Sequence, residues 1–164
     1  MGTNENVHAP RFLGAAFLGV VLTSLISGLL IMSATGSGSV SQILARVAEH
    51  VTPTRLSVVV GMANSVGIVV LAALLYIVLR KQSKVLAVVA LGLWLGEAFF
   101  YAVGQMGVLG LIPVSQDFVR AGTPDSSYFQ ALGELLYTGV YKFGAGTIHM
   151  FFYCAGGLAW YWLF

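Results

Sequence analysis

Charge is the scarcest property of this sequence. Eight basic and six acidic side chains in 164 residues make up 9% of the chain, where a soluble domain carries about a quarter. Most of the surface therefore cannot face water, and a soluble globular domain is excluded. The few charges sit at the ends of apolar runs with no basic cluster of the kind a nucleic-acid backbone needs, so no nucleic-acid partner is expected. A single cysteine, Cys154, leaves no intrachain disulfide and reads as a small apolar side chain within an apolar run. Strand-like alternation is missing throughout, and the long unbroken apolar runs exclude a β-barrel. Also missing are a phosphate-binding loop, a nucleophile–base pair and an inverted repeat.

What remains is apolar: 58% of the residues are hydrophobic. A membrane helix needs about 20 such residues in succession, and four stretches qualify, 12–34, 56–79, 85–112 and 143–164. The expectation is an all-α integral membrane protein, one four-transmembrane-helix bundle over residues 1–164 with the lipid bilayer as its solvent. Residues 1–10 are polar and read as a cytoplasmic tail. Asn6 stands where a myristoylation signal needs Ser or Thr. The first run is longer than a signal-peptide core and lacks a small-residue cleavage site, so it reads as a retained span, with a signal peptide as the alternative. Ala15, Gly19, Thr23 and Ser27 recur every four residues on it, a stripe that lets another backbone approach.

Between the first two runs, 40–51 spaces Ile43, Leu44, Val47 and Val51 on one helical face, with Gln42, Arg46, Glu49 and His50 elsewhere. An amphipathic helix in the interface plane is expected. Pro53 suits the first turn of the next helix, with Thr52 as its cap. Residues 126–141 are expected to form a second interfacial helix or an extension of the last span, started by Pro124, Asp125 and Ser126. Arg80, Lys81 and Lys84 mark a short cytoplasmic turn, whereas residues 113–142 carry three acidic and two basic side chains. Both termini are then cytoplasmic in a multi-pass protein of the cell membrane. The last run ends in Trp160, Tyr161 and Trp162 with no basic residue after it, which reads as a chain truncated or only partly represented.

The run 85–112 contains one carboxylate, Glu97, beside Gly92, Gly96, Gly104, Gly107 and Gly110. An intramembrane carboxylate is costly and must find a protein interior or a wet cavity. A rise of about 1.5 Å per residue, counted from the expected cytoplasmic ends, puts Asn64 at roughly 24 Å, Glu97 at roughly 18 Å and His149 at roughly 22 Å. Ser24 and Ser27 fall at about the same height, so all four helices offer a polar group to one layer. The candidate site is Asn64, Glu97, Tyr101 and His149: Glu97 as a proton-binding acid, His149 as its partner, Asn64 and Tyr101 as orienting donors. The bland reading of the same residues is interhelical hydrogen bonding worth about 0.6 kcal/mol per bond. Two strong ligands without a second His or Cys make an incomplete zinc set, and Phe100 stands where a di-iron Glu-x-x-His motif would need histidine. No metal is expected. The helix-packing candidates are Gly19, Gly92, Gly96 and Gly104.

Three stretches together, Ala72-Ala73-Leu74-Leu75-Tyr76-Ile77-Val78-Leu79-Arg80 running into Leu86, Leu95-Gly96-Glu97-Ala98, and Thr147-Ile148-His149-Met150 through Ala155-Gly156-Gly157, resemble a bacterial membrane family catalogued as domain of unknown function 4386. The resemblance covers roughly 45–164 and implies a helical bundle without an established activity. The family pattern implies an Arg three residues before the Glu, where this chain has Trp94, and a further helical pair that is absent here. Without that Arg, Glu97 is expected inside the bundle as a neutral acid in reach of Asn64 and His149, because an isolated buried charge costs several kcal/mol. The leading functional expectation is a non-enzymatic accessory or structural subunit of a larger membrane complex, bound to partner membrane subunits or to copies of itself. The alternative is a small proton-linked transporter or channel using Glu97 and His149. Cofactors stay unassigned.

Overall fold

A computed structural model of the protein describes residues 5–121 and 126–164, and every element among them is helical. In order these are α1 (Glu5–Thr35), α2 (Val40–Glu49), α3 (Val51–Leu79), α4 (Lys84–Ala121), α5 (Ser126–Glu134), a π-helical segment (Leu135–Thr147) and α6 (Ile148–Leu163). Three stretches, Arg11–Thr35, Val51–Leu79 and Lys84–Ala121, are long and apolar enough to cross a membrane. By itself α6, with 16 residues, is shorter than the usual ~20-residue span.

Several boundaries differ from expectation. Residues 5–10, expected as a tail, already belong to α1. α1 stops at Gly36, whose φ of 65° suits glycine at a helix end, and Gly36 N donates to Met32 O at 2.9 Å. α2 matches the amphipathic expectation within two residues, and the Ser39 amide donates to Gln42 Oε1 at 3.0 Å as half of a capping box. Its Ile43, Leu44 and Val47 pack with Leu111, Ile112 and Tyr137, closing one end of the bundle. α3 starts at Val51 rather than 56, and its cap is His50, not Thr52. The His50 carbonyl accepts from Thr54 N at 3.1 Å and Thr54 Oγ1 at 2.7 Å, which places Pro53 in the first turn, where its missing N–H is harmless.

The larger difference is in α4, which was expected to end at Pro113 and instead runs 38 residues through it to Ala121. A proline removes one helical donor and crowds the preceding turn. Here Leu111, Ile112 and Ser115 are all buried, the first two against α2, and that packing holds the chain helical past the proline. α5, the π-helical segment and α6 form one uninterrupted helical arm, so 126–141 continues into the last run, the second of its two expectations. Pro124 and Asp125 of the expected start signal lie outside the described residues.

The helices pack as a row that curls without closing. α1 lies on α3, α3 on α4, and α4 on both α6 and the π-helical segment. Among the described residues no α carbon of α1 comes within 8 Å of one in α6 or the π-helical segment. At the end nearer the α3–α4 turn, Leu71, Leu75 and Leu79 of α3, Ala87, Ala90 and Trp94 of α4, and Trp160 and Leu163 of α6 form a dense apolar cluster.

Candidate functional site

The gap between α1 and the α6 arm is a crevice floored by α3 and α4, and the polar layer lies on that floor. Asn64, Glu97, Tyr101 and His149 line one cavity of ≈ 300 Å³, together with Ser24 of α1. At about 30 Å³ per molecule of liquid, that is room for several waters beside polar partners. A second cavity of ≈ 690 Å³ adjoins it, sharing Tyr101 and His149, and reaches Gly36, Ser37 and Lys142 at the α1–α2 end. Below Glu97 the space stops on the apolar cluster, where Trp94, one turn earlier, is T-shaped to Trp160 with centroids 6.1 Å apart. The Trp94 Nε1 donates to the Tyr153 carbonyl at 3.3 Å. The position held here by Trp94 thus fastens α4 to α6 and closes one end of the route.

Each polar side chain is held by its own element. Asn64 is 2% exposed, and its Oδ1 accepts from Thr23 Oγ1 at 2.8 Å, joining α1 to α3. Ser27 Oγ donates to the Ser57 carbonyl at 2.9 Å, and Ser65 Oγ to the Ala98 carbonyl at 2.7 Å. Tyr101 interacts with the side chains of Ser27 and Asn64 and packs edge-on against the His149 ring at 5.4 Å. His149 Nδ1 is bonded to the Ala145 carbonyl one turn earlier. Because a carbonyl can only accept, that nitrogen carries the hydrogen, and Nε2 is the ring nitrogen left for another partner. Glu97 is 6% exposed, and its Oε2 is buried with no hydrogen-bond partner. Buried polar atoms are ordinarily paired, so an orphan in a cavity marks a place for a proton, water or ligand.

The π-helical segment supplies much of the larger cavity. Tyr137, Tyr141 and Ala145 recur every four residues and continue to His149, a spacing that a wider helix of i→i+5 bonds keeps on one face. Tyr137 and Tyr141 stack at 5.8 Å, and Tyr137 OH donates to Thr35 Oγ1 at 3.4 Å. Gln105, 4% exposed and lining this cavity, escaped the sequence reading because a lone amide one turn from a glycine carries no pattern. Its space comes from Gly61, where a β carbon would lie 2.5 Å from the Gln105 amide carbon.

The glycines expected to pack helices differ in what surrounds them. A β carbon at Gly96 would lie 2.9 Å from the Phe152 ring, and one at Gly104 would run into the Ala145 side chain. At Gly19 and Gly92 it would meet nothing within 4 Å, because both face away from the rest of the chain. Among the described residues no group of three or more His, Cys, Asp or Glu is placed to hold a metal ion.

Fold and site together define an all-helical protein with membrane-length apolar helices around a polar-floored crevice. Residues 12–164 match the family described as "Domain of unknown function (DUF4386)", and the chain belongs to that family. The match takes in α1 as well as the stretch from 45 onward that carried the resemblance. No curated protein and no solved structure matches the chain.

Proposed function

We propose that the protein is a four-span protein of the cell membrane that couples proton binding at Glu97 to passage of a small solute along the crevice. The fourth span is α6 extended by the π-helical segment, and the basic turn around Arg80, Lys81 and Lys84 lies in the cytoplasm with both termini. One observation carries the functional reading. Two adjoining cavities descend from the α1–α2 end to a buried carboxyl oxygen that has no hydrogen-bond partner, and they stop there on an apolar plug. Glu97 is then carried as a neutral acid in the dry state, since an unpaired buried carboxylate would cost several kcal/mol. Water in the smaller cavity links it to Nε2 of His149, the ring nitrogen that the Ala145 carbonyl leaves free. Passage to the other side requires the Trp94–Trp160 contact to loosen, which makes this an outward-open, inward-closed arrangement. In proteoliposomes a pH gradient should drive proton or solute flux that Glu97→Gln abolishes and Leu95→Ala retains. Leu95 serves as the control because it is exposed on the outer face of α4. Flux unchanged in Glu97→Gln, or none under any gradient, overturns the reading.

A second reading, an accessory subunit of a larger membrane complex, draws on the unclosed row of helices. Among the described residues α1 has α carbons within 8 Å of no helix but α3 and α2, and its exposed Leu18, Leu22, Leu25 and Leu29 leave a flank for another chain. Gentle extraction followed by native mass measurement should then find an assembly well above the 17.4 kDa of one chain, and a strictly monomeric particle rejects it.

A further inference from the structure

We infer that the larger cavity is a binding site for a single-chain membrane amphiphile with an anionic head, the head held at Lys142 and the chain lying along α1. The inference names a ligand class for the crevice and rests on reading the two cavities as one solute route. The charge pattern is the first support. Lys142 lines the cavity and no Asp or Glu does. Among the described residues the one ion pair is Arg120 with Asp117, so Lys142 has no carboxylate partner, and its Nζ stands 4.7 Å over the Tyr137 ring. A second cation stands at the same mouth. Arg46 Nη2 donates to the Ser33 carbonyl at 3.2 Å, and a β carbon at Gly36 would lie 2.7 Å from Arg46 Nε. The mouth is thus positive, with the hydroxyls of Ser37 and Tyr141 as neutral donors to an anionic oxygen.

The walls are the second support. Gly28, Ile31 and Met32 line the α1 side with little polar surface, and ≈ 690 Å³ lies within the ~300–1,000 Å³ of ordinary ligand pockets. The α carbons of α1 and the π-helical segment stay more than 8 Å apart and the two are bridged at the mouth by the Tyr137–Thr35 hydrogen bond, so the crevice is open sideways below that bond. A chain enters there from the bilayer while its head stays at the Lys142 level, so neither part crosses an environment that opposes it. A fully water-soluble anion would leave the apolar wall uncovered, and a neutral lipid would leave Lys142 unpaired.

The test is native mass spectrometry of the full chain in a neutral detergent, titrated with oleate, methyl oleate and acetate. Wild type should retain one oleate and neither of the others. Lys142→Gln should weaken oleate at least about tenfold, the loss of one charge-assisted hydrogen bond, while Lys142→Arg and Lys81→Gln bind as wild type. Gly28→Leu probes the chain independently: Gly28 lines the cavity and a side chain there meets nothing within 4 Å, so it narrows the crevice without a clash and should exclude oleate. Equal oleate binding by Lys142→Gln and wild type, or equal retention of methyl oleate, overturns the anionic head. Equal retention of acetate, or unchanged binding in Gly28→Leu, overturns the chain site. Oleate binding that survives in Glu97→Gln while flux is absent in every variant leaves this site standing and rejects the transport reading, so the two failures are distinguishable.

Discussion

A carboxyl oxygen and an indole nitrogen, Glu97 Oε2 and Trp160 Nε1, are buried without hydrogen-bond partners. The indole is held by packing against Trp94, whereas the carboxyl borders open space, which is why chemistry is assigned to the acid. Packing at this level is testable. A β carbon at Gly156 would run into the Trp94 ring and lie 3.2 Å from Leu93 Cβ. Gly156→Ala should therefore destabilise by about 1–3 kcal/mol, the usual cost of overpacking. Gly92→Ala, facing open space, should be neutral or stabilise by up to about 1 kcal/mol through helix propensity. Thermal unfolding in detergent reads both. Thr23→Val removes the donor to Asn64 and should cost about 0.6 kcal/mol, the average interhelical hydrogen bond in a membrane protein.

The element on which the site depends most is the π-helical segment. Wide turns of this kind are rare, short, and often found at functional sites; here the turns run from Leu135 to Thr147. In a turn of i→i+5 bonds the carbonyl five residues back comes close to an added side chain. A β carbon at Gly144 would lie 3.0 Å from the Gly139 carbonyl oxygen, and one at Gly146 would lie 3.2 Å from that of Tyr141. Gly139 has only an ordinary 3.5 Å approach, to Leu135. Gly144→Ala should thus lower the thermal midpoint and displace Tyr141 and His149 from the crevice, while Gly139→Ala should do neither. An α-helix in this region would tolerate both, so equal midpoints argue against the wide turns. The sequence showed the apolar character of this arm but not its pitch, because residues four apart such as Tyr137, Tyr141, Ala145 and His149 fit a period of 3.6 or 4.4 about equally well. Nor did it show α4 continuing past Pro113, since burial of Leu111 and Ile112 against α2 is a tertiary fact.

For the whole molecule, the unclosed row predicts where water reaches. In a Cys154→Ser background, Ser24→Cys and Gly28→Cys line the crevice and should react with a water-soluble maleimide added from the α1–α2 side. Leu75→Cys and Ala87→Cys lie in the apolar plug and should stay unmodified from either side. Modification of all four at similar rates would mean that no plug exists. Lys81→Cys, in the turn between α3 and α4, should label only from the cytoplasm if the positively charged turn sets orientation.

By itself the sequence determined that the chain is helical and suited to a bilayer, that 40–51 is amphipathic, and which polar residues lie at one height. Those follow from composition, from periodicity and from the fixed rise of a helix, all local quantities. Only the tertiary structure decided that α1 and the α6 arm stand apart, so that Asn64, Glu97, Tyr101 and His149 border a cavity and not a closed hydrogen-bonded core. Tertiary structure also decided that Gly96 and Gly104 meet neighbours while Gly19 and Gly92 face away. The physical reason is common to both. In a membrane the lipid and the protein interior are equally apolar, so a helix such as α1 or α3 carries little record of which face meets protein and which meets lipid.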